Sequence, residues 1–200
     1  MTPSPRLATR DDLAPAADVL AAAFHDYPWT RYVVPEEDYA ARLRGLQSLY
    51  LAHALEHGIL VVSGDGDGVI ALLPSDAPAP ADTVMARIVE LHGDRIDRLG
   101  SAAAEPGGEG TWALETLGVR ADARGRGVGS ALIAHSLCLA AEAGAAAVRL
   151  ETSDERNVRL YERHGFHVSE HVEHQGAPPV WHMRWVRAAD AETSAGPDGH

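Results

Sequence analysis

The run Arg124-Gly125-Arg126-Gly127-Val128-Gly129 carries the strongest chemical signal in this chain. Glycine at every second position lets a backbone approach a ligand with no Cβ in the way. The run joins an apolar, strand-like segment over residues 112–119 to a helix-like segment over 130–143. N–H groups exposed where a loop becomes a helix, aided by the helix dipole, make an anion site. Arg124 and Arg126 lie inside the run and Arg120 just upstream, so a phosphate-bearing ligand is the first expectation. A flexible, glycine-tolerant turn is the plain alternative. The G-x-G-x-G spacing is not the G-x-G-x-x-G of a dinucleotide fold, and it lacks the G-K-[ST] ending of a P-loop.

Other reactive side chains narrow the chemistry. All 17 basic residues are arginines, which excludes Schiff-base chemistry by a lysine side chain. The single cysteine, Cys138, excludes an internal disulfide and any multi-cysteine metal site; its Ala/Leu-rich helix predicts a buried, packing role. His53 and His57 stand at helical i, i+4, but no glutamate follows His53 as in H-E-x-x-H. The histidines at 164, 167, 171 and 174 spread over a helix end and a strand, and Asp65 and Asp67 lack the later ligands of a calcium loop. No metal is expected.

These residues need elements to position them. Periodicity and turn residues predict a first strand near residues 7–9, then a helix capped by Thr9 that ends before Tyr27-Pro28. A second helix is predicted over 37–57, and strands over 59–63 and 69–73 around a Gly/Asp turn. An amphipathic helix over 84–99 and a loop over 105–110 lead to the strand–loop–helix core. Beyond it come a strand over 147–152 and a helix over 157–164, with Thr152 and Glu155 as a capping box. The last strands are expected over 166–172 and 180–186. Residues 188–200 read as a polar, disordered tail, leaving one domain over 6–187.

With 46% hydrophobic and 23% charged residues, the 200-residue chain reads as soluble and globular. Its net charge of −12 disfavours nonspecific nucleic-acid binding and suits a cationic substrate. No apolar run approaches the ~20 residues of a bilayer span, and no signal-peptide core follows Met1. A cytoplasmic protein with neither nucleic-acid nor membrane partners is the expectation.

Downstream of the Arg/Gly loop stand Leu150-Glu151-Thr152-Ser153 and the run from Asn157 to Phe166, which contains Leu160-Tyr161-Glu162 and Gly165-Phe166. An R-x-x-G-x-G loop followed by L-Y-E-x-x-G-F resembles the GNAT acetyltransferase superfamily. The resemblance implies an α/β fold: a central mixed, mostly antiparallel sheet splayed between its two central strands, with helices on both faces. It implies acetyl-CoA as co-substrate and acetylation of an amine by direct attack in a ternary complex. Arg124, Gly125, Arg126, Gly127, Val128, Gly129 and Ser130 would hold the pyrophosphate. Backbone groups of Leu117, Gly118 and Val119 would bond the acetyl-pantetheine arm like an added strand, one N–H polarising the thioester carbonyl. Asn157 would either bond pantetheine or tie the helix start to backbone. Tyr161 takes the position of the family's general acid, and Glu115 and Glu151 those of alternative bases; Arg149 and Glu151 share a strand face and could simply pair. Within the superfamily, Ala21-Ala22-Ala23-Phe24-His25-Asp26-Tyr27-Pro28 resembles acetyltransferases of aminonucleoside antibiotics, puromycin among them. That implies a small-molecule amine acceptor with Tyr27 near its pocket; Trp29, which departs from that resemblance, and Trp112, at the strand mouth and otherwise a strand-packing residue, are further candidate acceptor contacts. A protein N-terminal acetyltransferase and a silent acyl-CoA-binding domain are the alternatives.

Overall fold

Alternation along the strands places the sheet between two layers of helix. The structure, a computed structural model, describes residues 4–102, 108–173 and 175–187. Strand β2 (Ile59–Ser63) is buried at every position, as a strand covered on both faces must be. Val61 packs with Ile70 and Leu72 of β3 (Gly68–Pro74) into a cluster that includes Leu132, Ile133 and Leu137 of a long downstream helix. Leu60 and Val62, one residue out of phase, pack with Val69 and Ala71 against Ala17, Leu20 and Leu51 of the N-terminal helices. Period two thus sends successive side chains into two separate cores.

The chain begins with β1 (Pro5–Leu7), a 3₁₀ turn over Arg10–Asp12, and α1 (Leu13–Ala23). Thr9 N–H and Oγ1 both reach the Asp12 carboxylate, at 2.8 and 2.9 Å. α2 (Pro28–Val33) and α3 (Tyr39–His57) precede the β2–β3 hairpin. α4 (Asp82–His92) runs into a 3₁₀ segment, Gly93–Ala102. Then follow β4 (Thr111–Val119), α5 (Val128–Glu142), β5 (Ala147–Thr152), α6 (Glu155–Glu162), β6 (His167–Val172) and β7 (Val180–Val186). Among the described residues the sheet has seven strands in the order β1-β2-β3-β4-β5-β7-β6. Every pairing is antiparallel except β4 with β5. The expected mixed, mostly antiparallel sheet with helices on both faces is what forms.

Several local expectations are corrected. Pro28 does not merely end α1; it opens α2 at the N1 position, where a missing N–H costs nothing. The helix expected over 84–99 stops at His92, because Gly93 takes φ +53° and closes it. The following 3₁₀ segment sends Arg95 Nη1 to the carbonyls of Arg31 (2.8 Å) and Val34 (2.7 Å), and Arg98 Nη1 to that of Tyr32 (2.7 Å). It thereby satisfies the open carbonyls at the end of α2. Asp154, not Thr152, caps α6, accepting the Arg156 N–H at 2.9 Å; Thr152 is the last residue of β5. Cys138 is exposed: α5 turns Ile133, Ser136, Leu137 and Ala140 inward, and Cys138 falls on the outer face. The expected tail over 188–200 lies outside the described residues, as do residues 105–107 of the expected loop.

Candidate active site

The parallel contact between β4 and β5 is short. Register runs through Thr111↔Ala147, Trp112↔Val148 and Ala113↔Arg149, then ends. Beyond Ala113 the two strands part, and the remaining residues of β4 and β5 edge a gap in the sheet. A cavity of about 280 Å³ opens there, and Leu114, Glu115, Thr116 and Leu117 line it from β4. Glu151 and Thr152 of β5, with Ser153, face it from the other side, together with Asn157 and Tyr161 of α6. Phe24, Tyr27 and Trp29 contribute an aromatic wall, and leucines and valines of α2, α3 and α4 close the far end.

A β-bulge aims Glu115. On β3, Ala71 pairs with Thr116 and Leu72 with Leu114, so Glu115 is the extra, unpaired residue of β4. Such bulges re-aim a side chain. Glu115 lines the cavity and is solvent-exposed there, yet many protein atoms crowd around its carboxyl group. That desolvation raises its carboxyl pKa, the Arg149 charge opposes the rise, and Glu151 adds to it. Arg149 therefore acts on Glu115, and its Nε is buried without a hydrogen-bond partner. Glu151 faces its cross-strand partner His182, Oε1 lying 3.6 Å from Nδ1, too far for a hydrogen bond.

Tyr161 is buried, its ring edge-on to Phe166 at 5.6 Å between centroids. Burial drives its phenol pKa well up, so the hydroxyl keeps its proton at any working pH. Tyr27 is held differently. Its hydroxyl accepts the Ser153 N–H and lies 3.0 Å from Thr152 Oγ1, which also accepts Asn157 Nδ2 at 3.2 Å. This chain stitches the start of α2 to the end of β5. Asn157 thus bonds a side chain of β5 rather than only backbone, and its N–H bonds the Asp154 carbonyl at 2.9 Å. Replacing Tyr27 by phenylalanine strands the buried Ser153 donor, so stability should fall by about 1–3 kcal/mol. Urea unfolding of Tyr27→Phe measures this; an unchanged midpoint would show the bridge to be dispensable.

The Arg/Gly loop lies beyond the C-terminal end of β4. Gly125 and Gly127 take φ +74° and +82°, and a Cβ built on either would meet nothing within 4 Å. The first bond of α5 runs from Ala131 N–H to Gly127 O at 2.9 Å, leaving the N–H groups of Val128, Gly129 and Ser130 without a helical acceptor. Arg124 Nε reaches the Val119 carbonyl at 3.3 Å. Arg120 is occupied: Asp122 holds it at 2.7 Å and Asp67 at 3.5 Å. Local positive charge at the loop therefore rests on Arg124, Arg126 and the helix start. Gly118 has a packing role of its own, since a Cβ there would sit 2.6 Å from Leu20 of α1.

Trp112 does not line the cavity. It belongs to the part of β4 still paired on both sides, and it packs against the core shared with α5. Gln47, Tyr50, His92 and Thr116 line the cavity without having been singled out by pattern. Only Gln47, polar between Leu43 and Leu51 on one helical stripe, carries a readable signal. Among the described residues no group of three or more His, Cys, Asp or Glu could hold a metal ion, and no helix is long and apolar enough to cross a membrane.

Residues 85–168 match the family model of the acetyltransferase (GNAT) domain. The whole fold is similar to a solved structure from Corynebacterium glutamicum described as histone acetyltransferase HPA2 and related acetyltransferase. That similarity has TM-score 0.73 and 29% identity, over 94% of this chain and 98% of that one. The PaiA N-acetyltransferase of Thermoplasma acidophilum, solved with coenzyme A, shares the fold at TM-score 0.61 and 15% identity, over 94% and 100% of the two chains. The ribosomal-protein-alanine N-acetyltransferase of Brucella melitensis does so at 0.55 and 16%, over 92% and 99%.

Proposed function

We propose that this acetyltransferase of GNAT fold, with acetyl-CoA as co-substrate, acetylates the free amine of a small molecule with an aromatic or apolar body, and that residues 6–187 act as one catalytic domain. The observation that carries the reading is one cavity in which two glutamates and a buried tyrosine face an aromatic wall across a parted sheet. The loop fits the diphosphate: open space at Gly125 and Gly127, three free helix-start N–H groups, and Arg124 and Arg126. Leu117, Gly118 and Val119 would bond the pantetheine arm through backbone, and Asn157 would flank it.

Acetyl-CoA supplies an acetyl thioester, whose carbonyl carbon bonds the amine nitrogen as its C–S bond breaks. Glu115 or Glu151, directly or through water, takes the proton that the incoming ammonium must lose. Tyr161 presents its hydroxyl proton to the departing sulfur and is reprotonated by the second proton that the nitrogen sheds as the amide forms. A phenol raised by burial gives up that proton only as sulfur charge develops in the same dry surroundings. Cys138 lies on the outer face of α5 and is not among the cavity residues, which supports direct transfer without a thiol relay.

The pH profile reports on the base. Glu115 must be ionised to accept a proton, so kcat/KM should fall as pH drops through its raised pKa. Glu151→Gln removes a like charge that raises Glu115, so the acid limb should move to lower pH. Arg149→Met removes the opposing charge, so the limb should move up. An acid limb that stays fixed in both variants would take Glu115 out of the base role.

The acceptor reading leans toward puromycin or a close aminonucleoside through the resemblance at residues 21–28. Tyr27 and Trp29 line the cavity, and aromatic faces suit a cationic, aromatic acceptor. The test is purified enzyme with acetyl-CoA and puromycin, read by mass spectrometry and by growth of an expressing host on the drug. Acetylpuromycin with protection is expected. Turnover of another amine, with neither product nor protection, would discard puromycin and keep the enzyme class; turnover of peptide N-termini alone would favour a protein acetyltransferase.

A further inference from the structure

Two polar side chains that line the cavity, Thr116 and Gln47, have a buried oxygen with no hydrogen-bond partner, and of these only Gln47 lies away from the parted strands. Gln47 lies on α3 between Leu43 and Leu51, is more than nine-tenths buried, and lines the cavity. Its Oε1 is sealed from water and has no hydrogen-bond partner, and neither does its amide nitrogen among the described residues. Leucine would fill the same place with no polar atom to satisfy, and a buried amide without partners is destabilising. Neighbouring polar groups behave otherwise. Thr30 Oγ1 donates to the carbonyls of Phe24 (2.6 Å) and Tyr27 (3.0 Å). His92 Nδ1 lies 2.9 Å from the Val33 carbonyl, and Thr152 is held by Tyr27 and Asn157. The protein thus satisfies these groups and leaves Gln47 open.

We propose that Gln47 determines acceptor specificity by hydrogen-bonding an uncharged polar group on the body of the amine substrate. The acceptor class is then a primary amine on an uncharged, largely apolar frame that carries at least one neutral hydrogen-bonding group. This rests on the amine-acetyltransferase reading above. An amide offers one acceptor and two donors and no charge, so it matches a hydroxyl, carboxamide or heteroaromatic edge. Charged bodies fit poorly. Among the described residues no arginine lines the cavity to meet a carboxylate, and the carboxylates that line it are Glu115 and Glu151 at the sheet. An amino-acid carboxylate would be buried without an arginine partner, and a second ammonium could pair only at the sheet, where Glu115 and Glu151 meet the amine that reacts.

The experiment compares arylalkyl primary amines in pairs, each with its analogue bearing one added hydroxyl or carboxamide, with spermidine and phenylalanine as charged acceptors. Thiol release gives kcat/KM for wild type, Gln47→Leu and Gln47→Met. In wild type at least one substituted amine should exceed its plain partner about tenfold or more. That ratio should fall to about one in both variants, with spermidine and phenylalanine the poorest acceptors. Gln47→Leu should also raise Tm, because it removes the unpaired buried amide. A wild-type ratio near one for every pair, a ratio that survives in the variants, preference for a charged acceptor, or a lowered Tm would each overturn the assignment while leaving acetyl transfer standing. Absence of acetylation of every amine would remove both.

Discussion

Tyr161→Phe should lower kcat by about 10²–10⁴-fold, the usual contribution of a positioned general acid. The substitution keeps the ring that packs on Phe166 and removes one hydroxyl. That hydroxyl faces the cavity, makes no hydrogen bond among the described residues and is held protonated by burial. Structure should therefore be preserved: unfolding midpoint and CoA affinity should stay near wild type while single-turnover acetyl transfer slows. The drop should appear in kcat and kcat/KM together, as for an interaction made only in the transition state. Wild-type single-turnover rates in the variant would leave Tyr161 as a packing residue and require another proton donor.

Gly127→Val should weaken CoA binding by about 10²-fold or more. Residue 127 has φ +82°, a conformation that a β-branched residue does not hold without strain. The loop would move to relieve it and carry the N–H groups of Val128 and Gly129 away from the diphosphate. Two lost charge-assisted hydrogen bonds, each about 1.5–3 kcal/mol, account for the size of the effect. The fold should survive, since nothing lies within 4 Å of the new Cβ and a left-handed L-residue costs only about 1–2 kcal/mol. Calorimetric titration with CoA decides it; unchanged affinity in a folded variant moves the diphosphate elsewhere.

What could be read from the residues alone was what local chemistry dictates. The β4–loop–α5 unit was legible because an apolar strand, alternating glycines and an Ala/Leu helix each announce themselves within a few residues. Strands β2 and β7 were legible to the residue, being dense in β-branched or aromatic side chains, and β5 was legible from its alternation between a glycine-bearing turn and a helix start. What stayed hidden depends on partners distant in sequence. The role of Pro28 as the first residue of a helix is settled by Arg95 and Arg98, more than sixty residues on, capping the other end. The aim of Glu115 comes from a bulge, a matter of pairing with β3 that its own neighbours do not encode. Cys138 was misjudged because composition marks α5 as buried, while only its phase relative to Leu132 and Ile133 says which residues turn outward. Trp112 looked like a mouth residue because the point where β4 and β5 part is fixed by both strands jointly.

The central claim is that this chain moves an acetyl group from acetyl-CoA to a small-molecule amine. The most direct measurement incubates purified protein with acetyl-CoA and a panel of small primary amines beside free peptide N-termini, following thiol release and product mass together. The account predicts thiol and N-acetylated amine in equal amounts, with small amines favoured over peptides and a rate that depends on both substrates at once. Folded protein that binds CoA yet releases no thiol above background and yields no acetylated product with any acceptor would contradict it.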